Sequence, residues 1–510
     1  TISSSSSSSS SSSLTSSSTR EETKNSNNDD TDTDKDTENH KTTKPLKDDA
    51  TTATQTTATS NPHPTQPKAY YDSVICGGGP AGLLAAIMLA QKYGPSYKIG
   101  VCERRSTIPP SPFHPELWSD VARFYLLGIG FRGQRALETF GLLPDFMKAS
   151  VAVNGRRDWA PGKTQVEESV ITRSTKEVTS RVLARDKLVG VLYYHIVEHY
   201  SQYSNIDLLY GYEVEPISFG TDTDDIVRVQ ISKCTSMNDD KNKEQQPQNP
   251  QDRLRNNNDN DNDNDAYYVA SQDSNEECDV DASSSPPQQV TTKLLIAADG
   301  SARTVANAME KCDREEYQQL NLVQRLFFAP KPFTIKRYVD DNARVFKSVK
   351  IPLPSDWPCD LNYSARSSES RITLEALPSD TEGNLCALLL MKPDDELAQE
   401  NATLSTLRAY LQQEFPQFST LIDDQEMERV AIKAASALPS FRYAGPRLTM
   451  KRRTVVVGDA AHTVKPYFGL GANSALEDIV MLSEALDETA AKVQDAGNGS
   501  NSNNDDEKEE

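Results

Sequence analysis

The sequence predicts an α/β fold in which a doubly wound, nucleotide-type sheet is interrupted by a mostly antiparallel β-sheet domain. Two glycine-rich turns predict it, one at residues 77–82 and one at 458–473, each following a short apolar run and opening a helix-like segment. The third observation is the texture between them. Strands alternate with helices up to residue 319, strand-like runs dominate 320–445, and βαβ texture returns from 446.

The elements follow in order. Residues 71–76 read as a buried strand, 80–93 as an Ala/Leu-rich helix and 98–102 as a second strand. A Pro/Ser-rich loop covers 106–118, and a helix around 133–140 is closed by Gly141. Residues 186–200 are helical, with Leu188, Val189, Leu192, His195 and Ile196 on one face, and 206–232 alternate as strands. Residues 293–298 form another buried strand, and 301–309 a helix. Beyond 320, residues 344–352, 371–377 and 385–391 read as antiparallel strands, with a helix at 403–415. The run 454–457 is a strand and 474–486 a helix.

Three segments carry too little apolar surface to offset the entropy of ordering and are expected to be disordered: 1–68, 233–290 and 487–510. The expected organisation is therefore a low-complexity arm (1–68), a cofactor domain in three pieces (69–232, 291–319, 446–486), an acidic insertion (233–290), a sheet domain (320–445) and an acidic tail (487–510). The three disordered segments hold 31 acids against 14 bases, which is −17 of the net charge of −21, so the folded part carries −4. With no basic stripe interleaved with aromatics, a nucleic-acid partner has no support. Seven scattered cysteines fit a reducing compartment, cytoplasmic or organellar, better than a disulfide framework, and no run of eighteen apolar residues predicts a membrane span.

The chemistry sits in three motifs. Gly77, Gly79 and Gly82 occupy a GxGxxG between strand and helix, with Glu103 ending the next strand 21 residues after Gly82. Gly77 makes the tight turn, Gly79 leaves room for a pyrophosphate, Gly82 lets helix and strand pack closely, and Glu103 can accept from ribose hydroxyls. Asp299-Gly300 ends the strand at 293–298. Gly458-Asp459 ends the strand at 454–457 and is followed after six residues by Pro466, then Gly469, Leu470, Gly471, Ala472 and Asn473. His195 and His199, four apart on one helix, have no third ligand in the sequence, so they read as packing residues and no metal is assigned.

Taken together, the three motifs resemble the class A flavoprotein monooxygenases, and within them most nearly the kynurenine 3-monooxygenases. The likeness covers 70–480 apart from the insertion, and is loose over 310–445. It extends to Arg123, to the run Arg132–Leu137, and to Arg185 in Leu183-Ala-Arg-Asp-Lys-Leu. The resemblance implies FAD, with NADPH or NADH as transient reductant, and hydroxylation of a small aromatic substrate by O2 through a C4a-hydroperoxyflavin. Gly77, Gly79, Gly82 and Glu103 would hold the ADP half, and Arg123 and Arg185 the flavin or its phosphates. Asp299, Gly300, Gly458 and Asp459 would meet the pyrophosphate side and ribityl hydroxyls, while Pro466, Gly469, Gly471, Ala472 and Asn473 would line the isoalloxazine. Arg156 falls where the family pairs an arginine with an amino-acid carboxylate; the alternative is that Arg156-Arg157-Asp158 is a solvated charged turn. Leu470 stands where the kynurenine enzymes carry glutamine, and Ala306 where the family carries arginine. No residue is assigned proton transfer, and His462 is expected to support the turn after Asp459. An epoxidase or phenolic hydroxylase of the same fold, or a flavin-binding protein without turnover, remain alternatives.

Overall fold

The computed structural model describes residues 66–113, 126–203, 205–221, 225–234, 286–327, 329–339, 342–380, 383–399, 402–465 and 469–501. The expected arm, most of the insertion, the end of the tail, Arg123 and Pro466 lie outside the described residues.

The strand Tyr70–Cys76 is buried along almost its whole length, which is the signature of a strand covered on both faces. It pairs in parallel with Ile99–Glu103 on one side and with the end of Gln288–Ala297 on the other. Ile206–Tyr210 and Thr454–Val456 extend the parallel sheet at its two sides, and Thr449–Met450 closes one edge. The strand Gln288–Ala297 begins five residues before its expected start because its first half pairs antiparallel with Val227–Lys233, giving an edge to residues whose sequence alone looks like insertion.

Helix Pro80–Tyr93 is buried from Ala81 through Ala90 and packs under the sheet with Arg185–Tyr200 and Leu470–Asn501. Burying each leucine of that face contributes about 1.5–3 kcal/mol. The opposite face is covered by the hairpin Tyr212–Ser218/Val227–Lys233 and helix Thr304–Gln319. Two helices run longer than their sequence signals. Thr304–Gln319 continues past the expected end because Glu310 and Asp313 accept amides of Ile335 and Phe333. Leu470–Asn501 continues into the expected tail, through Ala-rich residues of good helix propensity and a Lys92–Asp487 ion pair at 2.5 Å.

The second sheet has seven strands in the order Ser436–Ala437, Val345–Pro352, Asn384–Met391, Thr373–Pro378, Asn362–Arg366, Gly155–Trp159, Val170–Arg173. It is antiparallel except where Asn362–Arg366 meets Gly155–Trp159. The last two strands come from upstream of residue 320, so the sheet domain is not the contiguous 320–445 segment expected. One face buries Trp159, Tyr363, Leu374 and Leu389 against helices Leu404–Glu414 and Asp424–Ile432. The other face is half-buried at alternate positions, including Glu375, Leu377 and Leu388. Cys386 on that face packs against Ala184 and Leu126 of the small sheet formed by Leu126–Ile129, Val151–Val153 and Ser180–Ala184. The half-covered face is thereby turned toward the cofactor-type domain. No described helix is long and apolar enough to cross a membrane.

Candidate active site

The glycine turn is built by close approach. Gly77 adopts φ +112°, and a Cβ there would lie 2.3 Å from the Ala298 carbonyl oxygen. A Cβ on Gly82 would lie 1.9 Å from the Gly77 carbonyl oxygen, so the helix can approach the strand only without it. Gly79 is different. Its backbone is extended (φ −79°, ψ −177°), and the nearest atom to its missing side chain is Nη2 of Arg185, 3.7 Å away. Glu103 accepts from the Gly78 amide at 2.8 Å and the Arg105 amide at 3.0 Å, holding the turn against the second strand while keeping acceptor capacity for a ligand.

Arg185 begins helix Arg185–Tyr200 and joins this turn to the third motif: its charge opposes the upward pKa shift of Asp459. Asp459 is solvent-exposed although both neighbours are buried, yet burial is the leading cause of its raised pKa. Asp459 is thus reached by water yet closely surrounded by protein. His462, Arg303 and Arg185 are the cations around it. A Cβ on Gly471 would lie 3.8 Å from its Oδ1, placing the start of the last helix beside the acid.

Asp299 lies deeper. Burial raises its carboxyl pKa, the amides of Thr304 and Val305 face it, and neither carboxylate oxygen has a hydrogen-bond partner of good geometry. Two orphaned acceptors, an open cradle over Gly79 and a guanidinium beside it fit a phosphorylated, polyhydroxylated cofactor, whose hydroxyls would satisfy Asp299.

Three residues have roles that sequence reasoning missed. Arg303 is 2% exposed, and its Nη2 donates to the Asp459 carbonyl and to Oγ1 of Thr463. It clamps the Asp-Gly loop to the Gly-Asp loop, with its pKa brought down to about 10 by burial and by Arg442. The only sequence signal was an arginine in a segment that otherwise holds small residues. Asp478 accepts from the Gly458 amide at 2.7 Å and bonds Nε2 of His462 at 2.8 Å, raising the imidazole pKa. His462 thus supports the turn through the last helix and not through Asp459 itself. Asn473 accepts at Oδ1 from the amides of Gly130 (2.9 Å) and Gly133 (3.2 Å) and donates from Nδ2 to the carbonyls of Gly128 and Gly469. Its side chain caps helix Phe131–Thr139, whose own N-cap Gly130 has no side chain to do so. Any ring contact at Asn473 is left to its main chain.

Of the other expected site residues, Gly300 and Gly458 stand at turns with φ +64° and +62°, Gly469 packs on the Gly128 carbonyl, Ala472 is partly buried on the helix cluster, and Leu470 is exposed at the helix start. Arg156 is on a strand, not in a charged turn. Its Nε donates to both Asp158 oxygens (2.8 and 2.7 Å) on the half-covered face, while Arg157 points the other way and stacks over Trp159 and Trp357. Ala306 is fully buried on helix Thr304–Gln319. His195 has its pKa brought down to about 4 by burial and the neighbouring His199, and no metal-ligand cluster exists among the described residues.

A family model described as an FAD binding domain matches residues 251–492. The kynurenine 3-monooxygenase of Salinispora tropica is 25% identical over 420 residues, covering 81% of this chain and 72% of that enzyme. That of Dictyostelium discoideum is 23% identical over 423 residues, covering 81% and 69%. Among solved structures, 2-methyl-3-hydroxypyridine-5-carboxylic acid oxygenase is similar with a TM-score of 0.52 at 16% identity, over 82% of this chain and 83% of that one. The cofactor is FAD.

Proposed function

We propose that this chain, which stands among the FAD-dependent monooxygenases, hydroxylates the aromatic ring of kynurenine to give the 3-hydroxy product. The curated relatives that span most of both chains carry the name kynurenine 3-monooxygenase, which is where the substrate reading starts. Gly77, Gly79, Gly82 and Glu103 hold the ADP half, with Arg185 at the diphosphate. Asp299 and Asp459 take hydroxyls of the ribityl side, and the main chain of Gly469–Asn473 borders the ring system. When bound, FAD supplies the two-electron relay from NADPH or NADH to O2 that places one oxygen on an electron-rich ring.

The chain's own work is positioning, desolvation and electrostatics. Helix Leu470–Asn501 starts beside Asp459, so its N-terminal partial charge is available to stabilise negative charge on a reduced ring. The observation that carries the substrate reading is the half-covered sheet face turned toward Ala184. It has an aliphatic shelf at Leu377 and Leu388 and a charged end at Arg156, matching a ring that carries an amino-acid head. The test is oxidation of NADPH by the FAD-loaded chain with and without kynurenine, with the product identified by mass. Absence of kynurenine-stimulated oxidation would sink the reading.

A further inference from the structure

We propose that Glu375 is the residue by which this site selects a substrate bearing a protonated amine next to its carboxylate. The inference rests on the kynurenine reading and names the part of the site that would read the head group. Cross-strand register places Asp158 opposite Ser364, Ser364 opposite Glu375, and Glu375 opposite Leu388, all on the half-covered face. One pleat repeat along the sheet, Arg156 stands opposite Asn362. Glu375 and Arg156 are separated by two strand spacings, roughly 10 Å, and by about 7 Å along the strands. Two extended side chains reduce that gap to the width of an amino-acid head.

The hydrogen bonding on this face is unbalanced. Arg156 closes on Asp158 through Nε and through Nη2 at 2.6 Å, so its charge already has a partner. Glu375 has one hydrogen bond, from Oγ of Ser364 at 2.8 Å, and no ion pair among the described residues. Burial raises its pKa, as does Asp158 to a smaller degree, while the Ser364 hydrogen bond opposes this most, then Arg156 and, least, Arg366. Asn362 adds a buried Oδ1 with no hydrogen-bond partner. Around Glu375 and Asn362 the face therefore holds more acceptor capacity than the one donor, Ser364, supplies. An alkylammonium offers three N–H donors and a positive charge, and would answer Glu375 and Asn362 together. A ligand with only a carboxylate would meet Arg156 already held by Asp158 and would leave Glu375 unanswered.

The experiment uses the FAD-loaded full chain, its Glu375→Gln variant and Glu375→Asp as the conservative rescue. Glutamine keeps the Ser364 contact, and FAD content and thermal midpoint are measured first to show that the fold is kept. Binding is read by the change in flavin absorbance for kynurenine and for its deamino analogue, and turnover by KM and kcat. Wild type is expected to prefer kynurenine over the deamino analogue by about tenfold to a hundredfold, the range for a hydrogen bond to a charged group. E375Q should lose that preference by raising KM for kynurenine while leaving the analogue unchanged, and E375D should restore part of it. If wild type turns over kynurenine and E375Q keeps the same preference, the role of Glu375 is overturned and the proposed function stands. If wild type neither binds nor turns over kynurenine, both are overturned.

Discussion

Gly79 and Gly82 lie three residues apart in one motif, and the structure gives them opposite consequences when substituted. A Cβ at Gly82 would sit 1.9 Å from the Gly77 carbonyl oxygen, so Gly82→Ala forces the helix and the glycine turn apart by more than an ångström. Overpacking of this kind costs about 1–3 kcal/mol, and here it falls on backbone that cannot rotate away. At Gly79 the backbone is already extended, and a Cβ would meet nothing closer than Arg185 Nη2 at 3.7 Å. Gly79→Ala should therefore leave the apoprotein as stable as wild type, or more stable by about 0.4–1 kcal/mol through loss of unfolded-state entropy. The methyl would nevertheless stand where a diphosphate has to approach the main chain. FAD affinity should fall by about tenfold to a hundredfold if one or two amide contacts are lost. Chemical denaturation of the two apoproteins and FAD titration by fluorescence quenching separate the effects. If G79A binds FAD like wild type, or its apoprotein loses as much stability as that of G82A, the cradle reading fails.

Two further outcomes follow from the loops around Asp459. Arg303→Met should destabilise the protein by about 3 kcal/mol, because it removes charge-assisted bonds to the Asp459 carbonyl and Thr463 inside the fold. It should also weaken FAD binding. Arg303 has φ +53°, so Arg303→Gly relieves the left-handed backbone, and if it fully restores FAD binding then conformation and not the guanidinium is what matters there. The His462–Asp478 pair gives a pH signature. Because Asp478 raises the imidazole pKa, the pair's contribution is complete below the ordinary histidine value of about 6.5 and fades as pH rises through the raised value. Asp478→Asn should thus lose on the order of 1 kcal/mol at pH 5.5 and less at pH 8.5, measured by denaturant midpoint. An equal loss at both pH values would rule out the ion pair.

The parallel sheet was legible because its strands are buried on both faces and its glycine turns are local. The 71–76 strand, the 80–93 helix and the Gly77, Gly79 and Gly82 turn appear within a residue or so of where the pattern places them. Less legible was anything set by a distant partner. Gln288–Gln289 look like insertion until Ile231 and Gln230 pair with them. The strand Gly155–Trp159 could be read as a charged turn as readily as a binding segment, because its apolar neighbours Trp357 and Tyr363 lie two hundred residues downstream.

By itself the sequence determined the class of fold and the kind of cofactor, since strand–glycine–helix and strand–acid signals depend on contacts between near neighbours. Only the tertiary structure decided which groups are unsatisfied and which are already paired. Asp299 keeps two buried acceptors without a partner of good geometry, whereas Asn473 has its carboxamide fully engaged in capping a helix some 340 residues upstream. Glu375 carried no motif, and Arg303 stood in the Asp-Gly block without a role of its own. Their significance comes from burial and from the charge of whatever the fold brings beside them, and electrostatic environment is a property of the packed chain.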